Sequence, residues 1–179
     1  MVLARLFRRK PFEREGYTLY AAAVAAARQP AFYLEMGVAD TLQGRFDLVG
    51  LHVALLIRRL RHDTEGAGKE IAQAVFDAMF NDMDKNLREM GVGDMSISRR
   101  VKGLWEAFHG RAQAYETALD QGDTPALEAA LLRNLFAGHQ PEPDTALPRL
   151  AAHAVAMGQA LADQPMAALR AGRVAFASP

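Results

Sequence analysis

FDAMFNDMDKNLREMGVGDMSISRRVKGLWEAFHGRAQAY, residues 76–115, decides the fold. Phe76, Phe80, Met83, Leu87 and Met90 recur at alternating spacings of four and three, which places them on one side of a helix. Asp77, Asn81, Asp84, Lys85 and Arg88 fall on the opposite side. The pattern predicts a helix over 69–90, with Gly91 as the left-handed residue that ends it. Ser96 or Ser98 is suited to cap a second helix, whose stripe reads Ile97, Val101, Leu104, Phe108, Ala112, Tyr115 and Leu119. Two long amphipathic helices joined by a short glycine turn are the start of a helical bundle.

The rest of the chain extends that reading. A helix is expected over 17–29, stopped by Pro30, followed by a short turn of helix over 31–36 that ends at Gly37. A helix over 45–61 is apolar on nearly all sides and belongs at the centre of the fold. A fifth starts with Thr124 as N-cap and Pro125 in its first turn, and runs to Gly138. After the connector HQPEPD (139–144), a last helix over 145–163 carries Leu147, Leu150, Ala154, Met157 and Leu161 on one face. The expectation is an all-α, single-domain bundle of about six helices: a basic N-terminal segment (1–14), a helical domain (15–138), the connector, and a C-terminal helix and tail (145–179) packed on the same domain.

Composition bounds the function. With 179 residues, half of them hydrophobic, the chain is long enough for one sizeable core. Lys and Arg number 21 and Asp and Glu 21, so the whole molecule is no polyelectrolyte and any electrostatic role must come from local clusters. Cysteine is absent, which excludes disulfides, zinc–thiolate sites and thiol nucleophiles. No stretch reaches the ~20 apolar residues of a membrane-spanning helix, and no secretory signal pattern follows the first residues.

Candidate chemistry is sparse. Glu106 and His109 have the i, i+3 spacing of a di-iron ligand pair, but such a site needs two Glu-x-x-His motifs and the chain has one. The apolar face set by Leu104 and Phe108 turns Glu106 towards solvent. Asp82-Met-Asp84 begins like a calcium loop, yet Leu87 stands where that loop needs glycine and Gly93 where it needs a bidentate Glu. His52, in the most apolar helix, reads as a hydrogen-bonded core histidine. No catalytic, cofactor or metal residues are expected.

The basic clusters carry more. Residues 1–14 hold Arg5, Arg8, Arg9, Lys10 and Arg14 against the single acid Glu13, interleaved with Leu3, Leu6 and Phe7. This is the composition of a segment that touches an anionic membrane surface or ribosomal RNA phosphates. Arg58, Arg59 and Arg61, candidate contacts for an anionic partner, close the C-terminal end of one helix, where cations also complement the helix dipole. Arg99, Arg100 and Lys102 open another, where the dipole disfavours them, a mild pointer to an anionic partner. Met36, Met79, Met83, Met90 and Met95 are candidates for an adaptable apolar surface.

Three segments resemble the ubiquinol–cytochrome c chaperone family: AAARQPAFY (25–33), GVADTLQGRFDLVGLHVALLIRRLR (37–61) and the 76–115 stretch, within which the run MDKNLREMGVGD (83–94) is the most specific. The resemblance covers roughly residues 5 to 137. Ala39 departs from it, standing where proline is expected before Asp40-Thr41. The resemblance implies an all-α, non-enzymatic assembly factor without cofactors, which binds newly made cytochrome b and promotes assembly of the ubiquinol–cytochrome c reductase complex. It also implies work near the ribosomal tunnel exit, with a small partner subunit in mitochondrial members. The bare N-terminus looks like that of a bacterial member, placed in the cytoplasm and peripherally on the inner membrane. The competing expectations are a general membrane- or ribosome-binding adaptor and a di-iron bundle enzyme.

Overall fold

In a computed structural model the described residues are 11–64 and 66–179, apart from the side chains of Asp94, Met95 and Ser98. They form eight helices: α1 (Glu13–Ala27), α2 (Ala31–Leu34), α3 (Leu42–Arg61), α4 (Gly68–Glu89), α5 (Asp94–Gln121), α6 (Thr124–Leu135), α7 (Ala146–Ala162) and α8 (Met166–Arg170). No strand occurs among the described residues.

The architecture is built around α3. Thr41 caps it by accepting the Gly44 amide N–H at 3.1 Å, and Leu51 through Ile57 are buried without interruption. A helix that buries every side must be surrounded, and α1, α4, α5, α6 and α7 all pack on it. Leu48, Leu51, Leu56 and Leu60 contribute no exposed surface, and each such side chain is worth about 1.5–3 kcal/mol of transfer free energy.

α1 lies most extensively on α4. Gly16 makes that approach close: a Cβ there would stand 2.6 Å from the Ala74 carbonyl carbon. The Tyr20 hydroxyl donates to Asp82 at 2.7 Å, and Asn81 donates to the Tyr17 hydroxyl at 3.2 Å. Residue number therefore rises in the same direction along both helices. Buried Ile71, Val75, Ala78 and Met79 form the seam of α4. Phe76 and Phe80 lie beside that seam, half-buried and turned to α5. Gly91 adopts φ 76 and ends α4 as expected.

Two caps differ from the sequence reading. Gly93, not a serine, precedes α5, so the helix begins at Asp94. Asp123 rather than Thr124 caps α6, accepting the Ala126 N–H at 2.9 Å, because its carboxylate reaches one residue earlier. The predicted face of α7 (Leu147, Leu150, Ala154, Met157, Leu161) is wholly buried against α3 and α6.

Beyond Gln164 the chain is held by polar clamps. Arg59 donates to the Leu161 and Gln164 carbonyls, each at 2.9 Å, and Arg170 donates to Asp63 at 2.9 Å. The Gln164 side chain pairs with both backbone groups of Ala175 at 2.7 and 2.8 Å. Phe176 is thereby brought against His52, ring centres 5.6 Å apart.

Candidate functional site

Between α3, α4 and α5 runs a groove of about 590 Å³. It exists because the facing positions are small: Ala54, Ala72 and Ala112 line it, and their methyl groups leave the space open. The larger lining side chains are aromatic. Phe76 lies 5.7 Å from Phe108 and 5.2 Å from His109, centre to centre. Trp105 stacks over His109 at 4.0 Å and 36°, while the His109 Nδ1–H donates to the Trp105 carbonyl at 2.9 Å. That bond fixes the imidazole and with it the indole, whose side chain stays 45% exposed. A rigid, half-exposed indole above a floor of rings and methyl groups is suited to an apolar guest.

The rim is polar but internally neutralised. Arg58 donates to Asp120 at 2.9 Å and Arg61 pairs with Glu116 at 3.7 Å. Together with the two bonds from Arg59, this gives the triplet Arg58, Arg59 and Arg61, candidates for contact with an anionic partner, counterparts within the chain. All three guanidinium groups find partners on α5 or at the end of α7, because α3 is central and its last turn is ringed by neighbours.

A second cleft, of about 560 Å³, lies where the start of α3 meets α5 and the end of α6. Asp47, 7% exposed, is joined there by Arg111 and by the Gln43 amide at 2.9 Å. Burial nevertheless raises its carboxyl above the usual range. On the opposite flank of α3, His52 is fully buried with Nδ1 2.9 Å from the Leu48 carbonyl. Nε2 of His52 and Nε2 of His153 meet no partner. Burial pushes the His52 imidazolium down to about 4 and lowers that of His153. Phe32 stands edge-on to both rings.

The remaining expected site residues separate clearly. Met36, Met79 and Met83 are buried, at 3%, 0% and 6% exposure. They serve the core rather than a surface, because the buried seam of α4 runs through Ile71, Val75, Met79 and Met83 and meets the sequence stripe at Met83 alone. Met90 is exposed; the side chain of Met95 lies outside the described residues. Arg5, Arg8, Arg9 and Lys10 also lie outside them, and Arg14 is exposed on α1. Arg99 and Arg100 are exposed, and Lys102 pairs loosely with Glu106 at 3.8 Å. Asp82 and Asp84 sit within continuous α4. Among the described residues no three His, Asp or Glu side chains converge as metal ligands. The aromatic groove itself escaped the sequence reading; the available signal was Trp105, three residues before Phe108 and four before His109.

Residues 34–176 match the family described as Ubiquinol-cytochrome C chaperone. The chain belongs to the ubiquinol–cytochrome c chaperone family. The crystal structure of the Cbp3 homolog from Brucella abortus superposes on this family member with a TM-score of 0.82. The two are 36% identical, covering 99% of this chain and 97% of that one. The ubiquinol-cytochrome-c reductase complex assembly factor 1 of Xenopus laevis is 25% identical over 118 residues, 66% of this chain; the chain spans 58% of that protein's length. Among the described residues no helix is long and apolar enough to cross a membrane.

Proposed function

We propose that this chain is a non-enzymatic assembly factor for the ubiquinol–cytochrome c reductase complex, and that it holds an apolar segment of newly made cytochrome b in the α3–α4–α5 groove. One observation carries the reading: Trp105 is kept half-exposed above the Phe76–Phe108–His109 rings, at the edge of a groove that no element among the described residues fills. Family membership supports the same role. Exposed aromatic side chains fixed in place give apolar contact at low conformational cost. The alanines along the floor admit a helix or an extended apolar segment without a specific side-chain match, as a client in transit requires.

Holding and release need no covalent chemistry, so none is assigned. The rim cations serve the chain's own ion pairs, and the exposed Arg14, Arg99, Arg100 and Lys102 remain for contacts outside the groove. Affinity capture tests the reading directly. Wild-type protein should retain cytochrome b, and Trp105→Glu, which places a charge in the groove mouth and leaves the core untouched, should not.

A further inference from the structure

The three most exposed of the large hydrophobic side chains are concentrated rather than scattered. Leu34 is 82% exposed, Leu42 68% and Met90 53%. Their elements meet at one end of the bundle. The Tyr20–Asp82 and Tyr17–Asn81 bonds make α1 parallel to α4, and α4 returns antiparallel to α3 after a short loop. The pairs Asp47–Arg111 and Arg58–Asp120 make α5 parallel to α3. The end of α1, all of α2, the start of α3, the end of α4 and the start of α5 therefore share one pole. Arg28, Arg99 and Arg100 lie there, exposed and without an ion pair among the described residues. The other cations of that end are matched: Arg45 with Asp40, Lys85 with Glu89, Arg88 with Asp84 and Arg149 with Glu35.

We infer that this pole docks the protein on the surface of an anionic lipid bilayer, with Leu34, Leu42 and Met90 entering the acyl boundary and Arg28, Arg99 and Arg100 meeting headgroup phosphates. The form of the surface selects a bilayer over a protein or nucleic acid. Its apolar groups project from helix ends and a connecting segment instead of lining a concavity. A folded partner would need a separate pocket for each projection, whereas an acyl layer accepts all of them. Nucleic acid offers phosphates but nothing for two nearly bare leucines. Guanidinium groups beside aliphatic side chains match the boundary between headgroups and tails, where cations stay hydrated and apolar atoms do not. The arginines at the start of α5, disfavoured by its dipole, gain a partner only on such a surface. The inference is separate from the client groove, which lies on the flank of the bundle.

Co-sedimentation of the full chain with vesicles tests it, using phosphatidylcholine alone and phosphatidylcholine mixed with phosphatidylglycerol. Wild-type protein should pellet with the mixed vesicles and less with the neutral ones. Arg99→Gln/Arg100→Gln should weaken partitioning about 25-fold, from about fivefold for each cation at a charged surface. Leu34→Ser/Leu42→Ser should weaken it by about tenfold or more through lost apolar transfer. Both variants change exposed side chains, and unaltered thermal melting verifies their folding. Lys69→Gln/Arg173→Gln removes the same charge from exposed positions at the opposite end and should bind as wild type. Equal pelleting with both vesicle types would overturn the inference. So would pole variants that bind as wild type, or an opposite-end variant that loses as much as they do.

Discussion

Acid should unfold this protein through His52, and by an amount that the burial of one ring sets. The imidazole is fully buried, its Nε2 has no partner, and the titratable group that acts on it is His153, also a base. Its folded pKa lies near 4 against 6.5 for the ordinary side chain. A base whose pKa is depressed by folding costs nothing well above pH 6.5, where both states are neutral. As pH falls below that value the unfolded chain takes up the proton first, and stability is lost until pH passes the folded value. The loss is about 2 kcal/mol at pH 5 and about 3 kcal/mol below pH 4. His153, shifted the same way, adds to it. The perturbation is His52→Leu, which keeps an apolar side chain of similar size and removes both the titration and the unpartnered nitrogen. Urea unfolding from pH 7.5 to pH 5 should show wild-type protein losing about 2 kcal/mol more than the variant. At pH 7.5 the two should lie within about 1.5 kcal/mol, because relief of the unpartnered nitrogen offsets the lost Nδ1 bond. Parallel stability–pH curves would refute the reasoning, since they would mean that His52 finds a charge-stabilising partner or water when folded.

Arg111→Ala should destabilise by about 3 kcal/mol, because it leaves the Asp47 carboxylate buried with the Gln43 amide as its neighbour. Adding Asp47→Asn should restore most of that loss, and a double-mutant cycle in urea with no coupling would contradict it. Gly16→Ala should cost about 1–3 kcal/mol despite the better helix propensity of alanine, because its Cβ would press on the Ala74 backbone. Gly110→Ala, on open helix surface, should instead stabilise by about 1 kcal/mol, and thermal melts that rank the two the other way would remove the close α1–α4 approach from the account.

Periodicity carried most of the fold. The stripes of α5 and α7 lead directly to buried residues such as Ile97, Phe108, Tyr115, Leu150 and Met157, and the all-round apolar α3 is central for the reason a sequence can state. α4 shows the limit of that logic. Of its predicted stripe of Phe76, Phe80, Met83, Leu87 and Met90, Met83 is buried, Phe76, Phe80 and Leu87 are partly buried and Met90 is exposed, because two neighbours compete for the helix. Small residues let α1 take the Ile71–Val75–Ala78 face, and the phenylalanines turn to α5. A one-dimensional pattern does not record which side a neighbour approaches. The same gap hid the groove, which depends on three alanines from three helices falling opposite one another. It also misassigned the methionines, whose value as soft surface and as core filler is written in the same atoms. The tail was legible in part: Phe176 and Gln164 are ordinary residues until the Arg59 and Asp63 clamps bring them onto α3 and α7.

The central claim is that a chain of this family holds cytochrome b through the aromatic groove. Affinity capture of the tagged full chain from its own cells, with mass spectrometry of the retained proteins, tests it most directly when wild type and Trp105→Glu are run side by side. The account predicts cytochrome b in the wild-type eluate and its loss from the variant, with both proteins melting at the same temperature. Retention of cytochrome b by both would contradict the groove as the holding site, and its absence from the wild-type eluate would contradict the client.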